Sequence, residues 1–272
     1  MAWIGKVIGG TVGLMLGGPL GMVAGAAFGH MIDKSSHEGT RGEGGEIPFG
    51  FTQQGAGTPF GGDPQYQAQL VFFVGTFSML AKLAMADGGV SPQERKKVEE
   101  FINQDLQLTG ESRDAALRIF ETALREGGTF EEYAMQYYQQ FHRDRNMLEL
   151  VVSILFRVGM ADGSMTRSEQ QLIRTAVQIF RLPQSLFDSL KNQYGTSAFG
   201  RQNQKKKSYA VLGISPSADN EEVKRAYRKM VSEYHPDKIA SKGLPDEFIR
   251  FAHDKFREIQ EAYQEIRSER GL

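Results

Sequence analysis

Residues 220–238 have the sequence NEEVKRAYRKMVSEYHPDK. The apolar side chains in this stretch recur every three or four residues, which is the spacing of one face of an α-helix. Asp219 or Asn220 can cap the start of this helix, and Pro236 predicts its end because the residue before a proline avoids helical geometry. The other face carries basic side chains, which are Lys224, Arg225, Arg228 and Lys229. We therefore predict a basic amphipathic helix followed by an exposed turn, His235-Pro236-Asp237.

The flanking residues predict two partners for this helix. Residues 209–214 form a short apolar segment in which Gly213 is placed to stop a helix. After the turn, apolar residues again follow helical spacing, at Phe248, Ala252, Phe256, Ile259, Ala262, Tyr263 and Ile266. Two long antiparallel helices joined by a polar turn form a helical hairpin. The sequence thus predicts an all-α unit over residues 207–272.

Four blocks of this unit match the J-domain pattern in order and spacing, namely residues 209–214, 224–229, 234–238 and 256–263. Residues 207–272 are therefore identified as a J domain by resemblance. The resemblance implies that the basic face meets an acidic surface on the ATPase domain of an Hsp70 chaperone. It also implies that His235, Pro236 and Asp237 engage the contact between that domain, its linker and the substrate-binding domain. The chain would then activate its partner's ATPase without being an enzyme, although the basic residues could also form an ordinary solvated face.

A second all-helical domain is predicted over residues 64–195, because apolar residues recur there at helical spacing and no stretch alternates as a strand. It contains an internal repeat. Residues 83–88 read LAMADG and precede Ser91 and Glu94, while residues 158–163 read VGMADG and precede Thr166 and Glu169. This domain resembles the TerB (tellurite-resistance) helical fold, for which paired acidic motifs imply metal binding.

The acidic residues of the repeat have two interpretations. Asp87, Glu94, Asp162 and Glu169 are candidate ligands of a divalent cation, the one cofactor that the resemblance raises. Alternatively, the serine or threonine and the glutamate three residues later form capping boxes, and the aspartates shape the turns. Capping is favoured because the additional ligands of an EF-hand loop are missing. We otherwise expect no cofactor.

Residues 7–32 contain no Asp, Glu, Lys or Arg, and as one helix they would extend about 39 Å, more than the roughly 30 Å hydrocarbon core of a bilayer. Small residues four apart let two membrane helices approach closely, so Gly9, Gly13, Gly17, Gly21 and Gly25 predict dimerisation. A secretory signal or a soluble glycine-rich tail are alternatives. We predict a short tail over 1–6, a transmembrane helix over 7–32, a glycine-rich linker over 33–63 and a basic polar linker over 196–206.

Composition excludes several functional classes. The chain of 272 residues has no cysteine, which rules out disulfides, thiol catalysis and cysteine-bound zinc. A formal net charge of −1 gives no bulk attraction to nucleic acid, and we expect no nucleic-acid partner. The sequence contains no P-loop, HExxH motif or nucleophile elbow.

The order of the segments resembles the DjlA family of membrane-anchored DnaJ-like co-chaperones of Gram-negative bacteria. That resemblance implies a single-pass inner-membrane protein with a short periplasmic N-terminus, a cytoplasmic bulk, a homodimeric anchor and the Hsp70 chaperone DnaK as partner. It also implies a link to envelope-stress and capsule signalling. The alternative function is a metal-binding, TerB-like stress scaffold at the membrane, with the J domain as a secondary recruiter.

Overall fold

The computed structural model describes residues 16–35, 64–195, 204–235, 244 and 246–272. Within these ranges the ordered elements are helices and no strand occurs, which confirms the all-α prediction. A π-helical turn, Phe101–Asp105, continues α3. The helices are α1 Gly18–Ser35, α2 Pro64–Ala84, α3 Pro92–Glu100, α4 Gly110–Arg125, α5 Phe130–Phe141, α6 Arg145–Gly159, α7 Arg167–Ile179, α8 Gln184–Gly195, α9 Gln204–Val211, α10 Asn220–Glu233 and α11 Asp246–Arg270.

Helix α2 is the centre of the helical domain formed by α2 to α8. The stretch Gln67–Ala84 is long and apolar enough to cross a membrane by length and composition, yet 78% of it is buried inside the fold. Helices α4, α5 and α6 all pack against α2. A helix that is apolar on all sides is typical of a central core position, which is where α2 lies.

The internal repeat folds as two copies of the same turn. Gly88 and Gly163 have φ angles of +96° and +87°, a left-handed geometry that glycine adopts without steric penalty. Each turn leads into a helix that begins with a capping box, Ser91 with Glu94 at α3 and Thr166 with Glu169 at α7. The predicted capping boxes are therefore confirmed.

Helices α10 and α11 form the predicted hairpin. Asp219 caps α10 by accepting a hydrogen bond from the Glu222 backbone N–H at 2.7 Å. The rings of Tyr227 and Tyr263 stack at 3.9 Å between centroids, which fixes the two helices against each other. Helix α9 closes the small core, whose buried members are Tyr209, Val211, Leu212, Val223, Tyr234, Ile259, Ala262 and Ile266.

The structure corrects the position of the first turns of α11. Phe248 and Ala252 were expected in the core of the hairpin, but they are buried in the core of the helical domain. Helix α11 has 25 residues and extends about 38 Å, whereas α10 has 14 residues. The first turns of α11 therefore project beyond the hairpin, and their apolar side chains pack between the helices of the other domain.

The structure also corrects the boundaries of two predicted segments. The span predicted as one helix over 7–32 is broken at Gly17 and Gly18, whose φ angles are +58° and +56°. Helix α1 follows that break and continues to Ser35, which lies in the predicted linker 33–63. Likewise α9 begins at Gln204, inside the predicted linker 196–206. Residues 1–15, 36–63 and 196–203 lie outside the described residues.

Candidate functional site

The basic side chains of α10 occur as two pairs, and the two members of each pair lie one helical turn apart. Lys224 forms an ion pair with Glu221, with 3.1 Å between Nζ and Oε1, and Arg228 Nε donates to the Lys224 carbonyl at 3.3 Å. The second pair, Arg225 and Lys229, lines a cavity of about 300 Å³ whose other walls come both from the helical domain and from residues 210–255 of the hairpin unit. The structure thus brings the four predicted residues onto one helix, with one pair beside the neighbouring domain.

His235 follows the end of α10 at the start of the predicted turn. Its side chain is half-buried, and its ring meets the ring of Phe256 edge-on at 6.0 Å between centroids. Phe256 packs against the core of the hairpin. The imidazole is therefore braced against α11, while Pro236 and Asp237 lie outside the described residues.

Arg270 supports this site, although sequence reasoning did not identify it. Its guanidinium donates to the Tyr209 hydroxyl at 2.8 Å and to the carbonyls of Ala218 and Pro216 at 2.6 and 2.9 Å. These bonds fasten the loop before α10 to the end of α11, and so they fix the direction of the basic helix. The sequence around Arg270 does not distinguish it from the other charged residues near the end of α11, because its partners lie more than 50 residues away in the chain.

Two acidic residues of the repeat flank a lysine that sequence reasoning also missed. Lys97 Nζ lies 3.0 Å from Asp162 Oδ2 and 3.9 Å from Glu94 Oε1, and Lys97 is buried. Burial acts to raise the pKa of Asp162, but hydrogen bonds from Lys97 and from the Ser164 N–H hold that pKa below its ordinary value. The ammonium of Lys97 therefore lies between the carboxylates of Glu94 and Asp162. A divalent cation bound by these two carboxylates would need the same position.

The carboxylate of Glu169 is engaged by the backbone. It accepts a hydrogen bond from the Thr166 N–H at 2.8 Å, as a capping box requires. Burial raises the pKa of Glu169 despite this bond. Among the described residues, no group of three or more His, Cys, Asp or Glu side chains is placed to hold a metal ion. Glu94 and Glu169 thus cap helices, and Asp162 accepts a hydrogen bond within its own turn. Divalent-cation binding at Asp87, Glu94, Asp162 and Glu169 stays a prediction.

We expect Lys97→Met to lower the free energy of unfolding by about 1–2 kcal/mol, because the buried ammonium is lost and Asp162 keeps its charge without that partner. The matched control is Lys96→Met, since Lys96 is exposed and forms only a surface ion pair with Glu100. That pair should contribute no more than about 0.5 kcal/mol. Urea unfolding of the full chain in detergent measures the free energy of unfolding of both variants. Equal losses in the two variants would contradict the assigned role of Lys97.

The glycines proposed for dimerisation are only partly described. Gly9 and Gly13 lie outside the described residues, whereas Gly17 lies at the break before α1. Gly21 is buried and Gly25 is half-buried in a helix that packs against the helical domain. Dimerisation through these glycines stays a prediction.

Comparison with known families divides the chain into three matches. Residues 1–47 match the family model described as the co-chaperone DjlA transmembrane domain. Residues 74–192 match the tellurite resistance protein TerB, and residues 207–270 match the DnaJ domain. The first match indicates a membrane anchor at the N-terminus.

Curated relatives resemble the chain over most or all of its length. The co-chaperone protein DjlA of Photobacterium profundum is 33% identical over 286 aligned residues, covering 98% of this chain and 99% of the relative. The proteins of the same name from Coxiella burnetii and Escherichia coli are each 28% identical, covering 100% and 76% of this chain and 100% and 83% of the relatives. No solved structure matches the chain.

Proposed function

The chain belongs to the DjlA family of co-chaperones, and from that premise we propose that it binds an Hsp70 chaperone of the DnaK type and stimulates its ATPase. The observation that carries this proposal is the placement of His235 directly after the basic helix α10, braced by Phe256. A basic helix supplies electrostatic attraction to an acidic partner surface, and a braced turn at its end supplies a fixed point of contact.

The mechanism that we propose is differential binding. A partner protein accelerates hydrolysis in Hsp70 only if it binds the hydrolysis-competent state more tightly than the other states. Lys224 and Arg228 would provide the long-range attraction, because they carry charge on the exposed surface of α10. The turn that begins at His235 would discriminate between the states. The catalytic groups in this scheme all belong to Hsp70.

A single-turnover ATPase assay with DnaK and the full chain in detergent tests the proposal. We expect the full chain to raise the rate of ATP hydrolysis by DnaK well above the rate in detergent alone. The full chain is needed because a fragment starting at residue 207 would expose Phe248, which is buried among residues of the helical domain. Unchanged hydrolysis at saturating concentrations of the chain would refute the proposal.

The basic helix makes a separate prediction. Arg228→Glu should weaken binding to DnaK about tenfold, because it replaces attraction to an acidic surface with repulsion. Wild-type affinity should also fall as salt is added, since salt screens exposed charges. The control is Arg250→Glu, which makes the same charge change at an exposed position on α11. Affinity that ignores both salt and Arg228→Glu would mean that this face is only solvated.

We further propose that the chain crosses the bacterial inner membrane once, with its short N-terminus in the periplasm and its two helical domains in the cytoplasm. An Hsp70 of the DnaK type is cytoplasmic, so the J domain must face that side. The glycine repeat supports the proposal of a homodimer, because small residues let membrane helices pack closely. A role in envelope-stress and capsule signalling rests on the family resemblance alone.

A further inference from the structure

Helix α1 buries an apolar face against the helical domain. Its opposite side is open, as the 55% exposure of Met22 indicates. The buried residues follow the spacing of one helical face, three or four apart. They are Leu20, Val23, Ala24, Ala27 and Phe28, each at most 7% exposed. This stretch belongs to the segment whose composition predicts a membrane span.

The helical domain provides a groove for this face between α2, α4 and α5. Gly75 of α2 lies on the floor of the groove, where a Cβ atom would stand 3.6 Å from Leu20 Cδ1. The same Cβ would approach Tyr137 Cδ2 to 2.8 Å, so only glycine fits between the two side chains. A glycine within a long core helix weakens that helix, which here is offset by the close approach of Tyr137, the residue next to Gln136 on α5.

A side chain of the groove replaces a backbone hydrogen bond of α1. In an unbroken helix the N–H of Leu20 would donate to the carbonyl of Leu16. In the structure Gln136 of α5 stands between these two groups. Its Oε1 accepts from the Leu20 N–H at 2.9 Å, and its Nε2 donates to the Leu16 carbonyl at 2.8 Å and to the Gly17 carbonyl at 2.7 Å. The groove thus recognises the break itself as well as the apolar face.

The docked helix and a membrane span are alternative states of the same residues. The apolar face of α1 cannot contact the groove and lipid at once. A membrane-spanning helix over residues 7–32 would be kinked at Pro19 and, once away from the groove, would leave Gln136 without these partners. Gly17 and Gly18 can take either geometry, because glycine adopts left-handed and right-handed φ angles with similar ease.

We propose that the groove between α2, α4 and α5 is a receptor for the chain's own anchor helix, and that the helix leaves it when the anchor enters the membrane. Before insertion, the groove covers the apolar face of residues 18–28. After insertion, the groove is open to the cytoplasm. This inference does not depend on Hsp70 binding, since neither Gln136 nor Gly75 belongs to the J domain.

Two spin labels measure the state of the helix directly. The chain has no native cysteine, so Met22→Cys and Met135→Cys provide unique attachment sites. Both positions are exposed, and Met135 neighbours Gln136 on α5. We expect a single narrow distance between the labels in the lipid-free full chain. Vesicles of phosphatidylethanolamine and phosphatidylglycerol should abolish that distance as the anchor inserts.

The variant Gln136→Ala tests the recognition of the break without altering the anchor. It removes three hydrogen bonds to α1, each of which contributes a factor of a few to the docking equilibrium. The lipid concentration at which half of the narrow-distance population is lost should therefore fall at least about tenfold. Gln139→Ala, at an exposed position on the same helix, should leave that midpoint unchanged.

Three results would overturn the proposal. The first is a wild-type chain without a narrow distance in lipid-free buffer. The second is a narrow distance that persists in chains that float with the vesicles. The third is an equal lipid midpoint for Gln136→Ala and the wild type. A narrow distance that is lost on insertion, at a lower lipid concentration for Gln136→Ala, supports it.

Discussion

Replacing His235 with glutamine should reduce the stimulation of the Hsp70 ATPase by the full chain to the unstimulated rate. The imidazole of His235 begins the His-Pro-Asp turn, and Phe256 holds its ring at a fixed place after α10. Glutamine has a similar length but a flexible amide in place of the ring. It would lose both the contact with Phe256 and the shape presented to the partner.

The same substitution should change the free energy of unfolding by less than about 1 kcal/mol, since no buried apolar group is removed. A matched control is His253→Gln, which makes the same chemical change at an exposed position of α11. Single-turnover hydrolysis and urea unfolding are measured on both variants. If His235→Gln stimulates at the wild-type level, the turn does not act as proposed. If it unfolds markedly more easily, its effect on stimulation has a structural cause.

The elements that the sequence predicted well depend on local chemistry. A capping box needs only a hydroxyl and a glutamate three residues apart, and both predicted boxes occur at Ser91 and Thr166. The two Asp-Gly turns, the cap at Asp219 and the end of α10 before Pro236 are equally local. The hairpin followed from the spacing of apolar residues, because that spacing determines which helical face is buried.

The features that the sequence did not predict depend on residues far apart in the chain. Lys97 meets Asp162 only because the two repeats pack together, and Gln136 meets Leu16 only because α1 docks on α5. Helical spacing showed that Phe248 would be buried, but it could not show which domain would bury it. Apolar periodicity identifies a buried face without identifying the partner of that face.

The packing of Phe248 leads to the largest expected change in stability. Its ring is fully buried and meets Phe72 edge-on at 4.8 Å and Phe73 at 5.9 Å between centroids. Truncation of a buried phenylalanine to alanine removes its apolar surface from the core and leaves a cavity. We therefore expect Phe248→Ala to lower the free energy of unfolding by about 3–5 kcal/mol. The exposed position of His253 on the same helix provides the control His253→Ala, which should have little effect.

Amide hydrogen exchange shows which helices are destabilised by Phe248→Ala. Phe248 lies in the part of the chain that matches the DnaJ domain, but its contacts are with α2. If α11 completes the core of the helical domain, Phe248→Ala should accelerate amide exchange in α2 as well as in α11. Exchange that accelerates only within α9 to α11 would mean that the two domains are stable independently. Faster exchange in α2 of the variant would mean instead that α11 holds the J domain at a fixed orientation on the helical domain. In the wild-type chain, undocking of α11 would then expose both Phe248 and the ring of Phe72.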